Sequence, residues 1–254
     1  MPIIALTTDF GLEDAYVGIV KGVVLGLCPG ATVVDVSHAV PPQDVLAGCL
    51  TLEAARPYFP PDTIHLAVVD PGVGTDRRAL LAVTGHGSFL APDNGLLSFL
   101  DAAEIRDLRS VENPAYRLRP VSRTFHGRDV FAPAAAHLAA GAPSSSFGPP
   151  LAEMVRLPLP RARMTPEGLA GTILSFDRFG NALTSIRAGE ISYDARTLRV
   201  RDEAIPVVPT YASVSEGSPL ALVGSSGRLE VAVRNGSARE RLRLQSGDPV
   251  LLCT

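Results

Sequence analysis

Val68-Val69-Asp70-Pro71-Gly72-Val73-Gly74-Thr75-Asp76-Arg77 closes an apolar run, residues 64–69, with a carboxylate and a Pro/Gly-rich turn. The run reads as a buried strand. In open α/β sheets, ligands bind just past the carboxyl ends of the strands. Asp70 therefore stands where chemistry is expected, with Arg77 in the same loop. An Asp before Pro-Gly also caps turns through its side chain, and that reading stays open beside the first.

Outward from this stretch, the first 150 residues alternate between strand and helix signals. Residues 3–8 and 32–36 read as strands. Residues 15–27 carry Val17, Val20, Val24 and Leu27 at near-helical spacing, and Cys28-Pro29-Gly30 stops that helix. Pro41-Pro42 opens a second helix that runs to about residue 56. Shorter strands follow at 80–83 and 89–91, then a short helix at 95–100 and an Ala-rich helix at 130–140. Strands separated by helix-length segments imply a mostly parallel sheet flanked by helices.

The texture changes after Gly141. Residues 141–165 are rich in Pro and Ser and read as a connector. Helix signals vanish from Leu169 on, and short β runs recur at 169–175, 182–186, 197–200, 205–208, 220–223, 229–233 and 249–253. That predicts a compact β-barrel or sandwich. The expected division is an α/β N-terminal domain over 1–150, a linker over 151–166 and a β-barrel-like domain over 167–254.

The chain has 254 residues, is 46% hydrophobic and 19% charged, and carries a net charge of −3. A sizeable core is available, and no basic footprint for nucleic acid or a membrane surface is present. The N-terminus meets a charge at Asp9 and has no basic leader region, so it reads as a core strand. No apolar run approaches the roughly 18 residues that span a bilayer. Cys28, Cys49 and Cys253 lie far apart in apolar contexts, which points to a reducing, cytoplasmic setting and to neither disulfides nor a metal site.

Four polar clusters sit beside apolar strands. Thr7-Thr8-Asp9-Phe10-Gly11 ends the first strand; its carboxylate suits a ribose diol, or caps the following helix. The Asp70–Arg77 loop matches neither G-x-G-x-x-G nor a phosphate loop closed by Gly-Lys-Ser/Thr. Thr124-Phe125-His126-Gly127-Arg128-Asp129 precedes a helix; His126 suits work on water near neutral pH, while Arg128 and Asp129 suit pairing with each other. Asp177-Arg178-Phe179-Gly180-Asn181 offers a carboxylate, a ring and an amide, or an ordinary β-turn. His38, His65, His86 and His137 show no metal-ligand spacing and read as structural or surface residues.

Taken together, these clusters resemble the S-adenosylmethionine hydrolases, or S-adenosylmethionine hydroxide adenosyltransferases, relatives of the fluorinating and chlorinating enzymes. The resemblance runs nearly end to end through TTDFGLEDAYVGIVKGV, VVDVSH, VVDPGVGTDRR, APDNGLLS, FHGRDVFAPAAAHLA, DRFGNALTS and GSSGRLEVAVRNGSA. It implies an α/β N-terminal domain plus a β-barrel-like C-terminal domain. It also implies a homotrimer whose substrate lies between one subunit's N-terminal domain and a neighbour's C-terminal domain. The family's Asp, Arg and His around the nucleophilic water fall on Asp70, Arg77 and His126. Arg78 is adjacent, so Arg77 rests on spacing within the motif. The ribose carboxylate falls on Asp9, and the methionine-facing residues on Asp177 and Asn181. Phe179 and Tyr211 flank the adenine, and Ser225 and Ser226 are looser matches near the amino acid.

The halogenating relatives carry Tyr where Asp70 stands, Ser where Gly127 stands, an inserted loop, and a Trp in the pocket. This chain has no Trp, and Gln43 takes that position. The resemblance therefore implies hydrolysis of S-adenosyl-L-methionine to adenosine and L-methionine, with no cofactor or metal. Asp70, paired with Arg77 and near His126, is expected to fix the water, with His126 sharing the departing proton. The rivals are a chloride-using halogenase, a non-catalytic S-adenosylmethionine or adenosine binder, and a metal hydrolase built on His126 and Asp129.

Overall fold

Six strands of the first half form one sheet: Ile3–Thr8 (β1), Thr32–Ser37 (β2), Ile64–Val68 (β3), Ala79–Thr84 (β4), Gly87–Pro92 (β5) and Ile105–Ser110 (β6). The structure is a computed structural model that describes residues 1–192 and 194–253. It divides into two units, Met1–Leu157 and Pro158–Thr254.

In the first unit the sheet order is β2-β1-β3-β5-β4-β6. β2, β1, β3 and β5 run parallel, whereas β4 is antiparallel to both β5 and β6. β3 is buried along its whole length, as expected of a central strand covered on both faces. Three helices accompany the sheet: Tyr16–Leu27 (α1), Val45–Ala55 (α2) and Ala132–Ala139 (α3). Ile4, Leu6, Ile64, Leu66 and Val68 pack with Val17, Val20 and Val24 of α1 and with Ala132, Ala134 and Ala135 of α3 in one core cluster. Val69 points the other way, against Gly48 of α2. The alternation of a strand thus assigns α1 and α3 to one face and α2 to the other.

The second unit is built almost entirely of strands: Arg163–Thr165 (β7), Gly168–Phe176 (β8), Ala182–Arg187 (β9), Thr197–Val200 (β10), Glu203–Pro206 (β11), Pro219–Val223 (β12), Arg228–Val233 (β13) and Pro249–Cys253 (β14). Their order is β11-β10-β14-β8-β9-β13-β12, with β7 added beside β8. A bridge from Val207 to Ala221 links the two ends of this path. The result is a nearly closed, barrel-like antiparallel sheet around Leu169, Ile173, Leu198, Leu229, Val231 and Val250.

Several local expectations need correction. The second helix begins at Val45, capped by the Asp44 carboxylate on the Ala47 N–H at 2.9 Å; Pro41 and Pro42 lie in the turn before it. Residues 95–100 form successive tight turns, Ser98 N–H to Gly95 and Leu100 N–H to Leu97, and no helix. α3 is preceded by a π-helical turn, Gly127–Phe131. β6 was not anticipated, because its charged residues Arg106, Asp107 and Arg109 hide the strand alternation of an edge. A short helix, Ala238–Arg241 (α4), interrupts the β-rich half.

Candidate active site

Sheet topology decides where a ligand can sit. β1 has β2 on one side and β3 on the other, so the chain order reverses between β1 and β3. That is the switch point at which open α/β sheets form their ligand crevice. Thr8 pairs with Val68 at the carboxyl ends of these strands, so Asp9 and Asp70 emerge side by side.

The Asp70 loop is held by its own backbone. Val73 N–H donates to the Asp70 carbonyl at 3.2 Å, and the Thr75 hydroxyl donates to the Gly72 carbonyl at 2.7 Å. Gly74 is obligatory: its φ is +81°, and a Cβ there would lie 2.3 Å from the Arg123 carbonyl oxygen. This close approach seats the loop against the segment that leads to His126.

Arg77 ties three groups together. Its Nε donates to Asp70 Oδ1 at 2.9 Å, and its Nη2 donates to Asp70 Oδ2. The same Nη2 donates to His126 Nδ1 at 2.9 Å. Both carboxylate oxygens of Asp70 are thus engaged by one guanidinium fork, and none of these bonds is a turn cap. The pair is well shielded, with side-chain exposures of 10% for Arg77 and 5% for Asp70. The guanidinium also lies over the Phe131 ring, 5.3 Å from its centroid. Arg78 turns elsewhere: its Nε donates to Asp93 Oδ2 at 2.7 Å.

The bond to Arg77 fixes the state of His126. A guanidinium has no acceptor, so Nδ1 must accept and the proton of the neutral ring is on Nε2. Electrostatics agree. Burial first, and the Arg77 cation second, hold His126 below its ordinary 6.5. Asp129 is taken up by Arg128 at 2.6 Å and by the Ser122 N–H at 2.8 Å. Among the described residues, no group of three His, Cys, Asp or Glu comes together to hold a metal ion. A cavity of about 270 Å³ adjoins Arg77 and His126 and is lined also by Arg117, Glu112 and Val130.

Asp9 does not cap α1, whose N-cap is Ala15. Its Oδ2 accepts the Gln43 backbone N–H at 2.8 Å. Gln43 takes a left-handed φ of 65° to present that N–H. Phe10, Tyr16 and Phe125 form an aromatic cluster beside Asp9, and a Cβ on Gly127 would meet Phe10 at 3.1 Å.

The remaining sequence candidates lie on the second unit. Asp177 organises its own turn: Oδ1 accepts the Phe179 and Asn181 N–H groups at 2.9 Å, and Oδ2 accepts from Asn181 Nδ2 at 2.9 Å. The ordinary-turn reading of this cluster is thereby realised, with Phe179 at the tip, 75% exposed. Tyr211 donates to Glu230 Oε2 at 3.4 Å. Glu230 was missed from sequence, because a lone carboxylate in an alternating strand looks like a solvent-facing position. It is half-buried, and burial followed by the Asp177 charge pushes its carboxyl up. Ser225 and Ser226 sit in the turn between β12 and β13; the Ser226 hydroxyl is buried and has no hydrogen-bond partner among the described residues.

Comparison with known proteins fits this arrangement. The SAM hydroxide adenosyltransferase N-terminal domain matches residues 4–148, and the C-terminal domain of the same family matches residues 171–251. The chain belongs to the SAM hydroxide adenosyltransferase family. An (R)-S-adenosyl-L-methionine hydrolase from Thermus thermophilus is 46% identical, over 96% of this chain and 97% of that one. A protein of the same name from Salinispora tropica is 43% identical, over 97% and 96%. A fluorinase from Actinopolyspora mzabensis is more distant, 31% identical over 97% and 95%. Among solved structures, an uncharacterized conserved protein from Thermotoga maritima superposes with a TM-score of 0.92 at 34% identity, covering 99% of this chain and all of that one. Within this hydroxide adenosyltransferase, every residue of the Asp70–Arg77–His126 group comes from the matched N-terminal domain.

Proposed function

We propose that the protein hydrolyses S-adenosyl-L-methionine to adenosine and L-methionine by in-line attack of water on the 5′ carbon. The observation that carries this reading is the double engagement of Arg77, which holds Asp70 and His126 in one rigid array at the switch point. The curated relatives named (R)-S-adenosyl-L-methionine hydrolase, 41–46% identical over nearly the whole chain, support the substrate.

The chemistry follows from the leaving group. A sulfonium departs as a neutral thioether, so no general acid is needed; the difficulty is aligning a weak nucleophile. Water oxygen bonds to C5′ while the C5′–S pair leaves with sulfur, and the water gives up a proton. With Nδ1 occupied by Arg77, His126 offers only Nε2–H, a donor that holds the water oxygen. The departing proton therefore goes to Asp70, which revises the sharing role expected for His126. Correct placement of the water can supply about 7 kcal/mol or more of the barrier. Asp9 supplies the acceptor for the ribose hydroxyls, and Gln43 positions Asp9 through its backbone.

The rest of the site is part of the same proposal. Asp177, Asn181, Ser225 and Ser226 receive the methionine moiety, and Phe179 and Tyr211 the adenine. A homotrimer, in which a neighbouring copy brings the second set to the first, is supported by family resemblance. Cytoplasmic operation is supported by three free cysteines; among the described residues, no helix is long and apolar enough to cross a membrane. Metal-independent turnover completes the reading.

The test is incubation with S-adenosyl-L-methionine in chelator and excess chloride, followed by product chromatography. Adenosine and methionine in equal amounts are expected. Appearance of 5′-chloro-5′-deoxyadenosine, or loss of turnover with chelator, would overturn the reading.

A further inference from the structure

Four arginines of the second unit converge on a groove that the proposed reaction does not use. Cross-strand register puts two of them in one row. Arg163 on β7 faces Ala170 on β8, Ala170 faces Leu251 on β14, and Leu251 faces Arg199 on β10. Side chains in such a row leave from one face of the sheet. Their neighbours Leu198, Val200, Val250 and Leu252 are buried in the core, so the row faces outward. Arg161 and Arg201, each two residues from a row member, line the same groove of about 780 Å³. The walls stand three strand spacings apart, about 14 Å, over a floor that includes Ala170, Thr172 and Leu251.

The charge in this groove is largely uncompensated. Arg201 pairs with Asp248 at 2.8 Å, and Glu167 is the one carboxylate lining the groove among the described residues. The side chains of Arg161, Arg163 and Arg199 have no hydrogen-bond or ionic partner among the described residues. Single-sign clusters of this kind attract a counter-charged ligand and repel one another without it.

We propose that this groove binds an extended acidic peptide segment of a partner protein. Along each wall the arginines stand two residues apart, about 6.6 Å in an extended chain. An extended peptide repeats its side chains on one side at the same interval, so consecutive carboxylates alternate between the two walls. The forks of Arg161, Arg163 and Arg199 each take a carboxylate with two parallel bonds, while Arg201, held by Asp248, adds its charge to the wall. Among the described residues no aromatic ring lines the groove, whereas single-stranded nucleic acids are held by aromatic stacking platforms. That favours peptide over nucleic acid.

The experiment is fluorescence anisotropy of the full-length protein with labelled oligoglutamate, with oligoglutamine and a single-stranded oligonucleotide of matched length as comparisons. Oligoglutamate is expected to bind, more weakly as salt rises, and oligoglutamine not to bind. The double substitution Arg163→Gln with Arg199→Gln should weaken oligoglutamate by about tenfold. The pair Arg163→Lys with Arg199→Lys keeps the charge, loses the fork, and should fall between. Both positions are exposed, so an unchanged thermal transition confirms folded variants. Absence of binding, equal binding by the Gln variant, or tighter binding of the oligonucleotide would overturn the proposal.

Discussion

Substituting Arg77 by Met isolates the physical claim about the site. The change keeps much of the packing over Phe131 but removes the two bonds to Asp70 and the one to His126. Asp70 is 5% exposed, so its carboxylate is left buried and unpaired. Breaking a buried pair from one side costs about 3–5 kcal/mol. For a chain of this size each kcal/mol is worth about 2–4 °C in Tm, so a fall of about 10 °C is expected. Pairing Arg77→Met with Asp70→Leu removes both charges and should recover at least about 2 kcal/mol of the loss. Urea denaturation of wild type, both single variants and the double variant closes the cycle. A coupling below about 0.5 kcal/mol, the additivity seen for independent sites, would show that the ion pair is screened and does not preorganise the site.

Three further outcomes follow from the same structure. His126 must be neutral to accept from Arg77, and its pKa is lowered, so kcat/KM should stay level at neutral pH and fall on the acid side with an apparent value below 6.5; a pH–rate profile rising toward acid would contradict this. His65 is fully buried, stacked on Phe89 at 4.7 Å, and burial first and Arg56 second push it down to about 4 from 6.5. Because the unfolded chain binds that proton more tightly, stability is present above 6.5 and is lost as pH falls toward 4, about 3 kcal/mol in all; urea titrations should show His65→Leu flattening that loss, and an unchanged pH dependence would refute it. Gly74→Ala forces a Cβ into the Arg123 carbonyl, and should cost about 2 kcal/mol or more together with most of the turnover; a stable, active Ala variant would mean the loop does not need this approach.

Much of the first unit was legible because its signals are local. β3 is an apolar run broken only by His65 and soon ended by Asp70, and α1 shows its buried Val17, Val20 and Val24 at helical spacing. Residues 95–100 misled because Leu96, Leu97 and Leu100 mimic helical spacing, whereas Gly95 takes a φ of 97° and the leucines are buried through turns. The pairing of Arg77 with Asp70 was visible as loop spacing, but its contact with His126 spans two distant segments and needed the fold. Arg78 was set apart from Arg77 only by spacing within the motif, and its own partner, Asp93, emerges only in the fold. Gln43 was placed only by its match to the pocket Trp of the halogenating relatives; the observed contact is its backbone N–H on Asp9, which no side-chain pattern encodes. Glu230 escaped notice because its significance lies in its neighbours Tyr211 and Asp177, not in its own strand.

Everything in the mechanism turns on a carboxylate that takes the proton of the attacking water without touching the nucleoside. The direct measurement is turnover of Asp70→Asn alongside its calorimetric affinity for S-adenosyl-L-methionine. Affinity within a few-fold of wild type and turnover lower by about 10²–10⁴ are predicted. An Asn variant that releases adenosine at the wild-type rate would contradict the account.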